Sequence, residues 1–191
     1  MEDIFNEVII DLYPKPVTIE GTKKILHQME TSICKIHKKN GQKGTGFFVE
    51  ISYDKIIIPV MITNYHILDE DYLKKNEEIK ISLNDDTIIK TIKLNEKRRI
   101  YSNRKFDTTI IEIKPEKDNI TDFMELDDNI FKEDSNILYN RQSIYIIHYE
   151  KGEKAKVSYA IMENGKEEYN IVHFCCTENG SSGSPIKKFI E

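Results

Sequence analysis

Only three cysteines occur in the 191 residues, and two of them, Cys175 and Cys176, are adjacent. Such a set makes no disulfide framework, and it points to a reducing, cytoplasmic compartment. No apolar run approaches the roughly 18–20 residues that span a bilayer, which excludes a membrane-spanning helix. The start of the chain, Met1-Glu2-Asp3-Ile4-Phe5-Asn6-Glu7, is acidic. It lacks the order of basic residues followed by an apolar stretch, so no secretory signal is expected. Basic residues are in the minority, 28 Lys and Arg against 33 Asp and Glu, for a net charge of −5. Neither nucleic acid nor an anionic membrane is therefore an expected partner. There is no internal repeat and no low-complexity tract.

What is present is 39% hydrophobic and 32% charged. That is the balance of a globular chain of one or two domains, long enough to bury a sizeable core. Pro14 and Pro16 exclude regular helix from residues 1–21, which read as an extended arm. Thr22 can cap a short helix whose apolar side is Ile25, Leu26 and Met29. From Ser32 to Ile113 six short β-branched runs follow, joined by turns such as Asn40-Gly41 and Asp85-Asp86. They are 33–36, 44–51, 56–63, 79–83, 87–92 and 108–113. This is the pattern of an all-β barrel or sandwich. Residues 114–140 form a polar, acidic connector with a helical turn expected around Phe123, Met124 and Leu126. A second β unit comprises 143–149, 155–162, 169–176 and 185–190, with turns at Gly152 and Asn164-Gly165.

The stretch from Thr177 to Ile186, through Asn179-Gly180-Ser181-Ser182-Gly183-Ser184-Pro185, is a tight turn carrying exposed serines between glycines. Glycine allows positive φ and a close approach to the main chain. A serine there is a candidate nucleophile, but it needs a base to take its proton. Among five histidines, His27 lies on the helix and His37 beside Lys38-Lys39 at a turn. His148 and His173 lie inside strand runs, where packed or solvent-edge residues are expected. His66 ends an apolar strand in Met61-Ile62-Thr63-Asn64-Tyr65-His66, on the rim of a rigid element where a general base belongs. A carboxylate must fix the imidazole tautomer. Asp107 is the best placed, immediately before the aliphatic run Thr108-Thr109-Ile110-Ile111-Glu112-Ile113.

These residues resemble the chymotrypsin-like serine proteases, in their bacterial-type, trypsin-like branch. The chain order His66, Asp107, Ser182 matches. Ile62-Thr63-Asn64-Tyr65-His66-Ile67-Leu68 resembles the family's histidine motif and Asp107 with its strand the aspartate motif. Gly180-Ser181-Ser182-Gly183-Ser184-Pro185 resembles the serine motif, and Gly44-Thr45-Gly46-Phe47 the strand upstream of the histidine. The four patterns span residues from about 30 to 190. The resemblance implies a double β-barrel of the chymotrypsin type. Residues 1–29 would precede a protease domain at 30–191, made of a first barrel (about 30–114), a linker (115–140) and a second barrel (141–191). It implies Ser182 as nucleophile, His66 as base, Asp107 as its orienting partner, and the backbone N–H groups of Gly180 and Ser182 as an oxyanion hole. The implied activity is a serine endopeptidase acting on a peptide or protein substrate, with no metal and no cofactor.

Two departures matter. Ser181 stands where zymogen-derived members carry aspartate, which implies a non-zymogen enzyme. The family's second barrel continues for two more strands and a helix, whereas Glu191 lies six residues past Pro185. The resemblance therefore implies an incomplete second barrel and leaves three readings open: the chain is a fragment missing its C-terminal end, a partner supplies the rest, or the barrel stays open with an edge that favours association. Other readings fit less well. An α/β-hydrolase needs Gly at position 184 and its acid and histidine after the serine. Gly41, Gly44 and Gly46 precede a strand rather than a phosphate-binding helix. Cys34, His173, Cys175 and Cys176 have no zinc-ligand spacing; Cys175 and Cys176 read as core residues. Lys38-Lys39 and Lys97-Arg98-Arg99 read as solvated turns. The remaining alternative is a protease-like fold used as a binding module.

Overall fold

Thr18, not Thr22, opens the first helix. A computed structural model describes residues 13–94, 97–127, 129, 139–164 and 171–189. The Thr18 hydroxyl accepts the Gly21 N–H at 3.0 Å, capping helix α1 (Ile19–Thr31). Thr22 sits inside the first turn and donates to the Thr18 carbonyl at 2.9 Å. The helix buries Ile25 and Gln28 while Leu26 is exposed, which narrows the expected apolar side. Gln28 is buried because it has a partner: its side-chain oxygen accepts the Tyr145 hydroxyl at 2.9 Å.

The first sheet contains β1 (Ile33–His37), β2 (Lys43–Tyr53), β3 (Ile56–Thr63), β4 (Glu78–Leu83), β5 (Ile88–Lys93), β6 (Ile100–Asn103), β7 (Thr108–Glu112) and β8 (Met124–Glu125). Its order is β5-β4-β1-β2-β3-β7-β6, with β8 pairing β2 in parallel. The sheet curls around a core that includes Cys34, Ile36, Phe48, Met61, Leu68, Ile81 and Ile111. The strand pattern follows from the alternation of these residues with outward-facing ones.

Two of these strands were not expected. Strand β6 is four residues long and lies at the sheet edge with Ile100 and Tyr101 exposed, so it carries no inward apolar signal. Strand β8 occupies the place where a helical turn was expected. The helical turn is instead α3 (Pro115–Asp118), with proline in its first turn, where the missing N–H costs nothing. Arg98 is likewise not part of a solvated turn. It is buried and grips the Asp118 carboxylate with two bonds, at 2.8 and 2.9 Å, as a guanidinium must to leave water.

A second helix, α2 (Glu70–Lys75), follows the β3 loop and is capped by the Asp69 side chain. The second sheet contains β9 (Ser143–His148), β10 (Lys156–Asn164), β11 (Ile171–His173) and β12 (Ile186–Lys188), in the order β11-β10-β9-β12. Residues 1–12 of the arm, most of the connector at 128–138, Gly165 of the Asn164-Gly165 turn and Ile190 lie outside the described residues. A second cluster, with Ile25, Ile33, Val49, Val60, Tyr145, Ile147 and Tyr149, joins α1, the first sheet and the second sheet. Each such side chain contributes roughly 1.5–3 kcal/mol by leaving water. Cys175 is buried in a third cluster, but Cys176 is exposed, because adjacent residues in extended chain face opposite ways. No helix among the described residues is long and apolar enough to cross a membrane.

Candidate active site

Strand β3 ends at Thr63, and the chain turns through Asn64 and Tyr65 to His66. Asp107 holds that turn by both its main chain and its side chain. Its carbonyl accepts the Tyr65 N–H at 3.0 Å and the Asn64 side-chain amide at 2.9 Å. One carboxylate oxygen accepts the His66 N–H at 2.9 Å, and the other lies 2.7 Å from His66 Nδ1. Asp107 has φ 46°, in the left-handed region that an aspartate tolerates better than most residues. This conformation sits at the mouth of β7, where the chain must turn back toward the histidine.

An ionised carboxylate only accepts hydrogen bonds. The short contact therefore assigns the proton to Nδ1 and leaves Nε2 as the acceptor. His66 and Asp107 are both about half exposed, so the Nε2 face is open to a ligand.

The serine turn is fixed by sterics. Gly180 and Gly183 have φ 97° and 90°. A Cβ on Gly183 would sit 1.9 Å from the Thr45 carbonyl oxygen and 2.5 Å from Thr63 Oγ1, and one on Gly180 would sit 2.5 Å from the Tyr149 carbonyl oxygen. No other residue fits either place. Thr45, on β2, ties the turn down. Its N–H donates to the Ser182 carbonyl at 2.9 Å and its hydroxyl to the Gly180 carbonyl at 2.9 Å. The Thr45 carbonyl in turn accepts the Thr63 hydroxyl at 2.8 Å, three residues before His66. The serine turn and the histidine are thus indexed to each other across β2 and β3.

Within the turn, the Ser181 N–H donates to the Glu178 carbonyl at 3.0 Å and the Ser184 N–H to the Ser181 carbonyl at 3.1 Å. Among the described residues, neither the Gly180 nor the Ser182 N–H donates a hydrogen bond. The structure joins His66 to Asp107 directly, and the Ser182 hydroxyl makes no hydrogen bond with His66. Of the three serines, Ser181 is buried, while Ser182 and Ser184 are partly exposed. Ser184 spends its hydroxyl on the Ser181 carbonyl at 2.6 Å.

Sequence reasoning passed over Thr45 and His148. The two glycines flanking Thr45 were visible, but its role depends on a partner more than a hundred residues away. His148 is not an inert packed histidine: its Nδ1 lies 2.7 Å from Ser181 Oγ. A mostly apolar cavity of about 630 Å³ lies between α1, β8 and the second sheet, lined by Lys24, Gln28, Phe47, Met124, Tyr139 and Ile144 among others. It reaches Pro185 and Ile186 but not His66, Asp107 or Ser182. Among the described residues no group of three or more His, Cys, Asp or Glu side chains is placed to hold a metal ion.

No protein-family model matches the chain, and no curated protein matches it in sequence. Its fold matches solved structures. The serine endoprotease from Yersinia pestis aligns over 91% of this chain with TM-score 0.60 and 13% identity. The chain spans about half of that protein, 54% of its length. Deg5 aligns over 91% of this chain and 83% of its own, with TM-score 0.61 and 16% identity. The Rv3671c protease of M. tuberculosis, in an inactive form, aligns over 92% and 80% with TM-score 0.56 and 16% identity.

Proposed function

We propose that this chain, which has the fold of the chymotrypsin-like serine proteases, is a serine endopeptidase acting on a peptide or protein substrate. The observation that carries the reading is the His66–Asp107 pair. A carboxylate 2.7 Å from Nδ1 leaves Nε2 with the lone pair that a general base needs. Ser182 lies in a turn that the same two strands index to His66.

In the proposed reaction His66 Nε2 takes the proton of Ser182 Oγ as that oxygen attacks the scissile carbonyl. Asp107 stabilises the imidazolium. The charge that develops on the carbonyl oxygen is met by the Gly180 and Ser182 N–H groups, which are free of other partners among the described residues. Each such donor is worth roughly 2.7–4 kcal/mol in the transition state. The imidazolium then protonates the leaving amine, and water, activated by the same His66, hydrolyses the acyl-enzyme. The missing hydrogen bond between Ser182 and His66 is compatible with this, because such bonds often tighten only around substrate.

That same missing bond favours a second reading, a protease-like binding module. Hydrolysis of an unfolded protein substrate separates the two. The endopeptidase reading expects cleavage that Ser182→Ala and His66→Ala each lower by several orders of magnitude. Rates within about tenfold of the unmodified chain in both variants would reject the assignment.

A further inference from the structure

Behind the serine turn runs a chain of four polar groups, buried at its Ser181–His148 end. Ser181 Oγ is 2.7 Å from His148 Nδ1, His148 Nε2 is 2.9 Å from Ser158 Oγ, and Ser158 Oγ is 2.7 Å from the Cys176 carbonyl oxygen. His148 is 1% exposed and Ser181 8%. The proton positions follow from one end. A carbonyl only accepts, so the Ser158 hydroxyl donates to Cys176. Ser158 must then accept from His148 Nε2–H. Nδ1 is left as the acceptor, and the Ser181 hydroxyl donates to it. Of the two neutral tautomers of His148, only the Nε2–H form completes the chain.

This arrangement spans the serine turn. Cys176 lies just before it and Ser181 inside it, between the two residues with free N–H groups. The rod that joins them, His148 to Ser158, crosses the paired strands β9 and β10. The residues that follow His148 form the bed under Gly180: a Cβ there would meet the Tyr149 carbonyl and the Lys151 and Gly152 nitrogens. The Lys151 N–H also donates to the Asn179 carbonyl at 2.5 Å.

Ser181 and His148 make the only serine–histidine hydrogen bond in this turn among the described residues. Their burial keeps substrate away from both, so they are not the reacting pair. We infer that His148, as a neutral Nε2–H imidazole, is a positioning residue: it anchors Ser181 and so holds the Gly180 and Ser182 N–H groups toward the site where an oxyanion forms. This rests on the endopeptidase reading for its consequence, though not for its geometry.

The surroundings agree. Burial holds the His148 pKa below the usual histidine range. Glu150, on the turn after β9, pulls it up and Lys156, on β10, pushes it down, and these two are paired with each other. On the segment leading to the turn, the Cys175 thiol is pushed up to about 11 by burial and stays neutral. Glu178 of the turn is paired with Lys151 at 2.7 Å. The opposing effects of Glu150 and Lys156 leave burial as the largest influence on the imidazole. Protonation would reverse the Ser181 bond, with Nδ1–H donating to Ser181 Oγ, and would bury a charge.

The test uses the full chain and the rate of Ser182 labelling by a fluorophosphonate, whose phosphoryl oxygen uses the same N–H groups. Ser181→Ala and His148→Ala should slow labelling roughly tenfold or more. His148→Gln should stay within about threefold, because its amide accepts from Ser181 and donates to Ser158 as the imidazole does. It should also lose the part of the acid limb of the pH–rate profile that is due to His148, which a merely space-filling residue would not change. Folding of each variant is read from its thermal melt. Unchanged labelling in folded Ser181→Ala and His148→Ala overturns the positioning role while leaving the endopeptidase reading intact. Should the folded, unmodified chain not label at all, the endopeptidase reading fails instead. The anchoring is then read from amide hydrogen exchange of Gly180 and Ser182. Faster exchange in His148→Ala but not in His148→Gln supports it, and no change in either overturns it.

Discussion

The Thr45 hydroxyl donates to the Gly180 carbonyl oxygen at 2.9 Å across the boundary between the two sheets. The Thr45 hydroxyl oxygen also accepts the Tyr149 N–H at 3.2 Å, so one side chain satisfies both the serine turn and the end of β9. Thr45→Val keeps the shape and removes both bonds. It should cost about 1–3 kcal/mol in urea unfolding, because two backbone groups, the buried Tyr149 N–H and the half-buried Gly180 carbonyl, lose their partner. Thr45→Ser should recover most of that. Equal stabilities for the two variants would mean that the hydroxyl carries no load.

Asp107→Asn tests the tautomer argument. Asparagine keeps the size of the side chain but offers an N–H where Nδ1–H must be accepted. Substrate hydrolysis should fall roughly 10⁴-fold while KM changes little. A loss below about tenfold would show that His66 does not depend on this carboxylate.

Gly183→Ala should destabilise the fold by roughly 2–5 kcal/mol, combining a disfavoured positive φ with a clash against the Thr45 backbone. Chemical denaturation measures it. A stability within about 1 kcal/mol of the unmodified chain would contradict the packing of the turn on β2.

Arg98→Ala removes one partner of the buried pair with Asp118 and leaves a carboxylate without its counter-charge. The expected cost is about 3–5 kcal/mol, and Arg98→Lys should recover little of it because a lysine cannot make the two-pronged contact. An effect under about 1 kcal/mol would place Asp118 in water.

Burial lowers the pKa of His37, His148 and His173. The folded state therefore binds fewer protons than the unfolded one just below the usual histidine value of about 6.5. Their contribution to stability is full above that value and is lost as pH falls through it toward the lowered values. The melting temperature should drop between about pH 7.5 and pH 5.5, and drop less in His148→Gln, which cannot take up a proton. Parallel curves for the two proteins would contradict a buried neutral His148.

The β runs that carry strong apolar alternation, such as Ile79 to Leu83 and Thr108 to Ile113, were legible as strands because their inward residues build the core. Strand β6 was not, since Ile100 and Tyr101 face solvent at an edge. The start of α1 was misplaced by four residues because two threonines, Thr18 and Thr22, could each serve as cap. Arg98 looked solvated because its partner Asp118 is twenty residues on and joins it only through the fold. His66 and Asp107 could be paired from chain order and local motif, and the structure places them 2.7 Å apart. The Ser181–His148 contact had no local signature at all. It arises from the meeting of the serine turn with β9, a relationship of tertiary packing that neither segment encodes alone.

Mass-spectrometric mapping of a fluorophosphonate adduct tests the central claim most directly. The account predicts a single adduct on the peptide containing Ser182. It should be abolished in Ser182→Ala and slowed by several orders of magnitude in His66→Ala. An adduct on Ser181 or Ser184, or a folded chain that takes up no probe, would contradict it.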